Sequence, residues 1–76
     1  MPDLLRVLDH VEHYLLYAQG IVLPKLRWLQ RQTQGPVRAG LLGQYLGLQR
    51  RQTYNYLHAL ELVGLARQEG KRWKAA

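Results

Sequence analysis

The chain has 76 residues and no cysteine, with eleven Lys or Arg against five Asp or Glu for a formal net charge of +6. That length allows one domain, 1–76, whose core rarely supplies more than ~3–5 kcal/mol unaided. The lack of cysteine excludes disulfides and thiolate metal sites. No apolar run approaches a membrane span and no signal peptide is legible, so a cytoplasmic protein without a membrane partner is expected.

The charge is unevenly spread. Residues 1–20 hold Asp3, Asp9 and Glu12 against Arg6, whereas residues 21–76 hold every other basic side chain against Glu61 and Glu69. A polyanion is therefore the expected partner of the C-terminal part.

Leu4, Leu8, Val11, Leu15 and Ala18 fall on one face of a helix over residues 4–18, with Asp3 as N-cap and Gly20 as stop. Leu5, Val7, Tyr14, Leu16 and Tyr17 widen the apolar surface beyond one stripe. A helix that apolar needs cover on more than one side, and a second copy is the expected cover. Leu4, Leu5, Leu8, Val11 and Leu15 are the expected dimer contacts.

A second helix is expected over residues 24–34. Pro24 suits its first turn, Leu26, Leu29 and Trp28 are inward candidates, and Lys25, Arg27 and Arg31 face out. Gly35 and Pro36 end it, and Val37 and Arg38 form a short extended segment. A third, short helix over residues 39–46 presents Leu41, Leu42 and Leu46, and stops at Gly47. A fourth runs from about Gln49 or Arg50 to Val63, with Thr53, Leu57 and Leu60 facing the core and Gly64 as C-cap. Residues 65–75 are expected to form two short strands turning at Glu69, Gly70 and Lys71.

The run Leu46-Gly47-Leu48, the pair Leu57 and Leu60, and Gly64-Leu65 together resemble the winged helix-turn-helix of the bacterial arsenic-repressor and multiple-antibiotic-resistance-repressor type. The resemblance covers residues 21–75. It implies a mainly α fold with a small β-hairpin wing, to which this chain adds an N-terminal helix, residues 1–20, for dimerisation. It also implies that the fourth helix reads DNA and that the wing grips its backbone.

The residue chemistry fits that role. Arg50, Arg51, Gln52, Tyr54, Asn55 and His58 lie away from Thr53, Leu57 and Leu60, and Arg, Gln and Asn are the side chains that pair bidentately with guanine or adenine edges. Arg51 and Asn55 are the expected base readers. Arg50 or Gln52 is expected on a base or a phosphate. Tyr54 has two readings, a nucleotide contact or packing on the short helix, and Tyr56 is expected to pack there. Arg38, Gln49, Arg67, Lys71, Arg72 and Lys74 are expected on the DNA backbone, where contacts add affinity without sequence information. Trp73 among those charges is expected to pin the hairpin rather than stack on a base.

Asp9, His10, Glu12 and His13 suggest a metal site only weakly, because ligands from one helix converge poorly. No metal, cofactor or small-molecule effector is expected. The scattered carboxylates and small size argue against an enzyme. The expected function is sequence-specific binding of double-stranded DNA by a homodimeric transcriptional regulator, a repressor associated with the nucleoid. The alternatives are a winged-helix protein-interaction module and a plasmid or phage partition or replication-control protein.

Overall fold

Residues 13–76, which the computed structural model describes, form three helices and a small antiparallel sheet. The expectations that fall on Asp3, Leu4, Leu5, Val7, Leu8, Asp9, His10, Val11 and Glu12 lie outside these residues.

Helix α1 occupies residues 13–33 without interruption, which corrects the expectation of two helices parted at Gly20. Gly20 does not take the positive φ that a glycine stop requires. Instead Ala18–Val22 forms a π-helical turn in which the Leu23 N–H donates to the Ala18 carbonyl. The physical cause is Pro24. Inside a helix it lacks an N–H and its ring presses on the carbonyl four residues back. A widened turn directly before it relieves that conflict. Leu23 stays helical (φ −62°, ψ −46°) although a proline follows it.

The core rewards this continuity. Ala18, Val22, Leu26 and Leu29 lie along one side of α1 and all are buried. The helix ends at Thr33, where Gln34 takes a left-handed conformation (φ 59°) and the Gly35 N–H reaches back 3.1 Å to the Gln30 carbonyl. Trp28, an inward candidate, is exposed instead. Its ring lies 5.8 Å from that of Tyr45, and Lys25 Nζ sits 4.9 Å above it.

Helix α2, Ala39–Leu46, buries Ala39, Leu42 and Gly43. It stops at Gly47, whose φ of 69° is left-handed, and the Leu48 N–H donates to the Gly43 carbonyl across 2.9 Å. Helix α3, Arg50–Leu62, then leaves at an angle set by a close contact. A Cβ at Gly43 would lie 2.7 Å from Thr53 Oγ1 and 3.2 Å from the Leu48 carbonyl. Only a residue without a Cβ lets the two helices meet there. Thr53, Leu57 and Leu60 are fully buried, as their spacing predicts. Thr53 satisfies its hydroxyl by donating to the Gln49 carbonyl at 3.0 Å.

Strands β1, Ala66–Glu69, and β2, Arg72–Ala75, pair antiparallel with Gln68 opposite Trp73. The connecting pair is Gly70 and Lys71. A positive φ at Gly70 alone (62°) is the pattern of a type II′ turn. Val37 adds a third, one-residue strand on the far side of β2. Its N–H and carbonyl both bond Trp73, each at 2.7 Å. The Ala75 N–H donates to Gln30 Oε1 at 2.8 Å, which ties β2 to α1.

Trp73 is 1% exposed and lies in the core with Leu26, Leu29, Leu42, Leu57 and Leu60. Its burial bears out the pinning role expected for it. The indole Nε1 makes no hydrogen bond among the described residues; that costs about 1–3 kcal/mol, offset by removing so large a ring from water. Tyr56 departs from its expected place on the short helix. Its ring stacks 4.4 Å from Tyr14 and lies 4.7 Å from Tyr17, both on α1. Among the described residues no helix is long and apolar enough to cross a membrane.

Candidate nucleic-acid interface

The outer side of α3 follows from its inner side. Thr53, Leu57 and Leu60 face the core, so the 3.6-residue period turns Arg51, Asn55 and His58 outward. All three are exposed. Among the described residues Arg51 makes no ion pair, while His58 Nδ1 lies 3.4 Å from Glu61 Oε1. The His58 ring also meets Trp73 edge-on at 5.1 Å. His58 is therefore braced against the hairpin, and Arg51 and Asn55 are the freer pair.

The start of α3 divides the remaining candidates. Gln52 Oε1 accepts the Gln49 backbone N–H at 3.2 Å, so these two glutamines close a capping box. That bond draws the Gln52 carboxamide oxygen back to the helix start, away from the outward position that a bidentate adenine contact requires. Arg50 turns to the opposite flank, where its guanidinium lies 5.9 Å from the Tyr54 ring. Tyr54 is half-buried and packs against the core.

Arg50 and Tyr54 form one wall of a cleft of about 720 Å³. The start of α2 supplies a second wall, with Arg38, Gly40 and Gln44. The hairpin supplies the third, with Gln68 and Lys71. None of the described residues lining the cleft is acidic. Three cations from three separate segments thus face one space with no carboxylate among them. Gln44 and Gln68 are additions to the residues singled out from sequence. Their place depends on how the hairpin folds back toward α2, which no local pattern encodes.

The other hairpin cations are arranged differently. Arg67, Glu69, Arg72 and Lys74 share the side of the hairpin opposite Gln68 and Trp73. Glu69 Oε1 lies 3.8 Å from Arg67 Nη2 and 3.9 Å from Lys74 Nζ. Exposed pairs at such distances stabilise little, yet they set a negative charge between two of the expected backbone contacts. Arg72 is exposed, and Lys74 is half-buried beside Gln30 and Arg31.

A second, more apolar groove of about 400 Å³ is lined by His13, Tyr14, Leu16, Tyr17 and Tyr56. Leu16 is 61% exposed on its rim, and Leu15, the described member of the expected dimer contacts, is half-buried. Burial, followed by the neighbouring Tyr14 and Tyr17, pushes the Tyr56 phenol above its ordinary pKa of 10.0. Among the described residues no three of His, Cys, Asp and Glu come together as a metal site would require. No family model, curated protein or solved structure matches this chain.

Proposed function

We propose that the protein is a winged helix-turn-helix regulator that binds double-stranded DNA as a homodimer and represses transcription where its site overlaps a promoter. The observation that carries this reading is the exposed Arg51 and Asn55 on α3, set beside an acid-free cleft bearing Arg38, Arg50 and Lys71. Guanidinium and amide groups suit base edges, and the flanking cations suit phosphates. The order of helix, Val37 bridge, two helices and hairpin supports the winged form. The tyrosine-lined groove with exposed Leu16 supports a second copy packing against α1. Two copies would set their α3 helices about 34 Å apart, one turn of DNA.

Selection of bound sequences from a random duplex pool tests this directly. The expected product is a two-fold-symmetric site with half-sites about 10 base pairs apart. Arg51→Ala should then bind the enriched site and random DNA more equally, losing about 1–3 kcal/mol of discrimination. A pool that enriches no sequence sinks the reading. A protein-interaction module is the second reading, favoured by Leu62, which is 88% exposed at the end of α3. Steep weakening of duplex binding with salt decides for DNA.

A further inference from the structure

We propose that the cleft between the hairpin and the starts of α2 and α3 seats the phosphodiester backbone of the bound duplex, and that Arg50 works there with Arg38 and Lys71 rather than on base edges. This rests on the DNA reading above and divides its site into two parts. Arg51 and Asn55 read; the cleft holds.

The first argument is the sorting of charge. On the far side of the hairpin, Arg67 and Lys74 share the Glu69 carboxylate. In the cleft, Arg38, Arg50 and Lys71 face one another with no acidic residue among the described lining. Like charges gathered in a concave site focus a positive potential that an anion relieves.

The second argument is shape. The three cations come from the segment before α2, the first residue of α3 and the turn of the hairpin. They therefore approach the space from different sides. A phosphate offers oxygens in several directions and accepts such a surround. A base edge offers donors and acceptors in one plane, which suits a single bidentate side chain. Arg50 is held on this flank by the Tyr54 ring, 5.9 Å from its guanidinium carbon. An aromatic face under a guanidinium leaves its N–H edge free for an oxyanion.

Gly40 permits a clean test. It lies in the first turn of α2 and lines the cleft, and a Cβ there would meet nothing within 4 Å. Gly40→Glu brings a carboxylate to the cleft. In the first turn of a helix an acidic residue is stabilising, and replacing glycine favours the helix as well. Loss of binding in this variant with an unchanged or raised Tm is therefore not loss of fold.

The experiment measures fluorescence anisotropy with the enriched duplex and a random duplex between about 50 and 200 mM salt. Arg38→Gln, Arg50→Gln and Lys71→Gln are each expected to weaken both duplexes equally, about five- to tenfold, and to flatten the log–log salt slope by about 0.9. Gly40→Glu should weaken both at least as much while melting no lower than the parent. If Arg50→Gln instead alters preference between the duplexes, Arg50 reads bases and the proposal fails. If the cleft variants keep parental affinity and slope while Arg51→Ala loses preference, the cleft is idle although the DNA reading stands. A parent that binds no duplex removes both. A parent that binds polyglutamate through these residues, and no duplex, assigns the cleft to an acidic protein partner and overturns the proposal.

Discussion

Gly20 and Gly47 mark two joints in the helical layer, and the backbone runs through the first while it turns at the second. At Gly47 the left-handed φ of 69° is used, and Leu48 returns a hydrogen bond to Gly43. At Gly20 the φ is not positive, and the helix continues through a π-turn to Pro24 and beyond. The difference lies in what surrounds each glycine. Ala18, Val22, Leu26 and Leu29 are buried on both sides of the first joint, so leaving the helix there would take apolar surface out of the core. At the second joint the contact of Gly43 with Thr53 fixes a new direction, and α3 buries its own stripe against the core. A glycine permits a stop; packing decides whether the stop is used.

The largest expected effect is at the second joint. Gly43→Val drives side-chain atoms into Thr53 Oγ1 and the Leu48 carbonyl, and overpacking of this kind costs about 3 kcal/mol. In a domain this small that approaches the whole stability, so a thermal melt followed by circular dichroism should show little folded protein at 37 °C. A Tm near the parent's would show that α2 and α3 part freely and that this contact does not set their angle.

Smaller effects of opposite sign separate the two glycines themselves. Gly47→Ala forces an L residue into the left-handed region at a cost of about 1–2 kcal/mol. Gly20→Ala meets no atom within 4 Å and no positive φ, and should stabilise by about 0.5–1 kcal/mol because alanine suits a helix interior better. Urea denaturation of the pair checks this. Shifts of the same sign would erase the distinction between a joint that turns and one that does not.

The smallest effect is on the contact that α1, ahead of its π-turn, makes with α3. Burial first, then Tyr14 and Tyr17, raise the Tyr56 pKa above 10.0. The phenol thus ionises more readily in the unfolded chain than in the folded one. The stability that its neutral form contributes is complete below about pH 10 and is lost as pH rises through the raised folded value. Tyr56→Phe should therefore show a smaller fall in Tm between about pH 9 and 11 than the parent. An equal fall in both proteins would mean that the tyrosine cluster does not govern alkaline unfolding.

Most short-range features are legible in the amino-acid order. Thr53, Leu57 and Leu60 share one side of a single helix, so their spacing marks the inward face and leaves Arg51, Asn55 and His58 outside. Gly70 marks the hairpin turn, because a two-residue loop needs a positive φ that glycine takes at no steric cost. The continuity through Gly20 is legible too, although a stop is expected there. Ala18, Val22, Leu26 and Leu29 lie at i, i+4, i+8 and i+11, a helical stripe that ignores both Gly20 and Pro24. Tyr56 and Trp28 are harder. Both are amphipathic rings whose place depends on which neighbouring helix arrives beside them.

The chain's residue order by itself determined what neighbouring residues can settle among themselves: the span of α2, the turn at Gly47, the two sides of α3 and the hairpin. These depend on backbone angles and on a periodicity that repeats within one turn or one strand. Tertiary structure decided that Tyr56 stacks on α1, that Trp73 closes the core, and that Arg38, Arg50 and Lys71 meet around one cleft. Those outcomes join residues far apart in the chain, and only the burial of a shared apolar core brings them together.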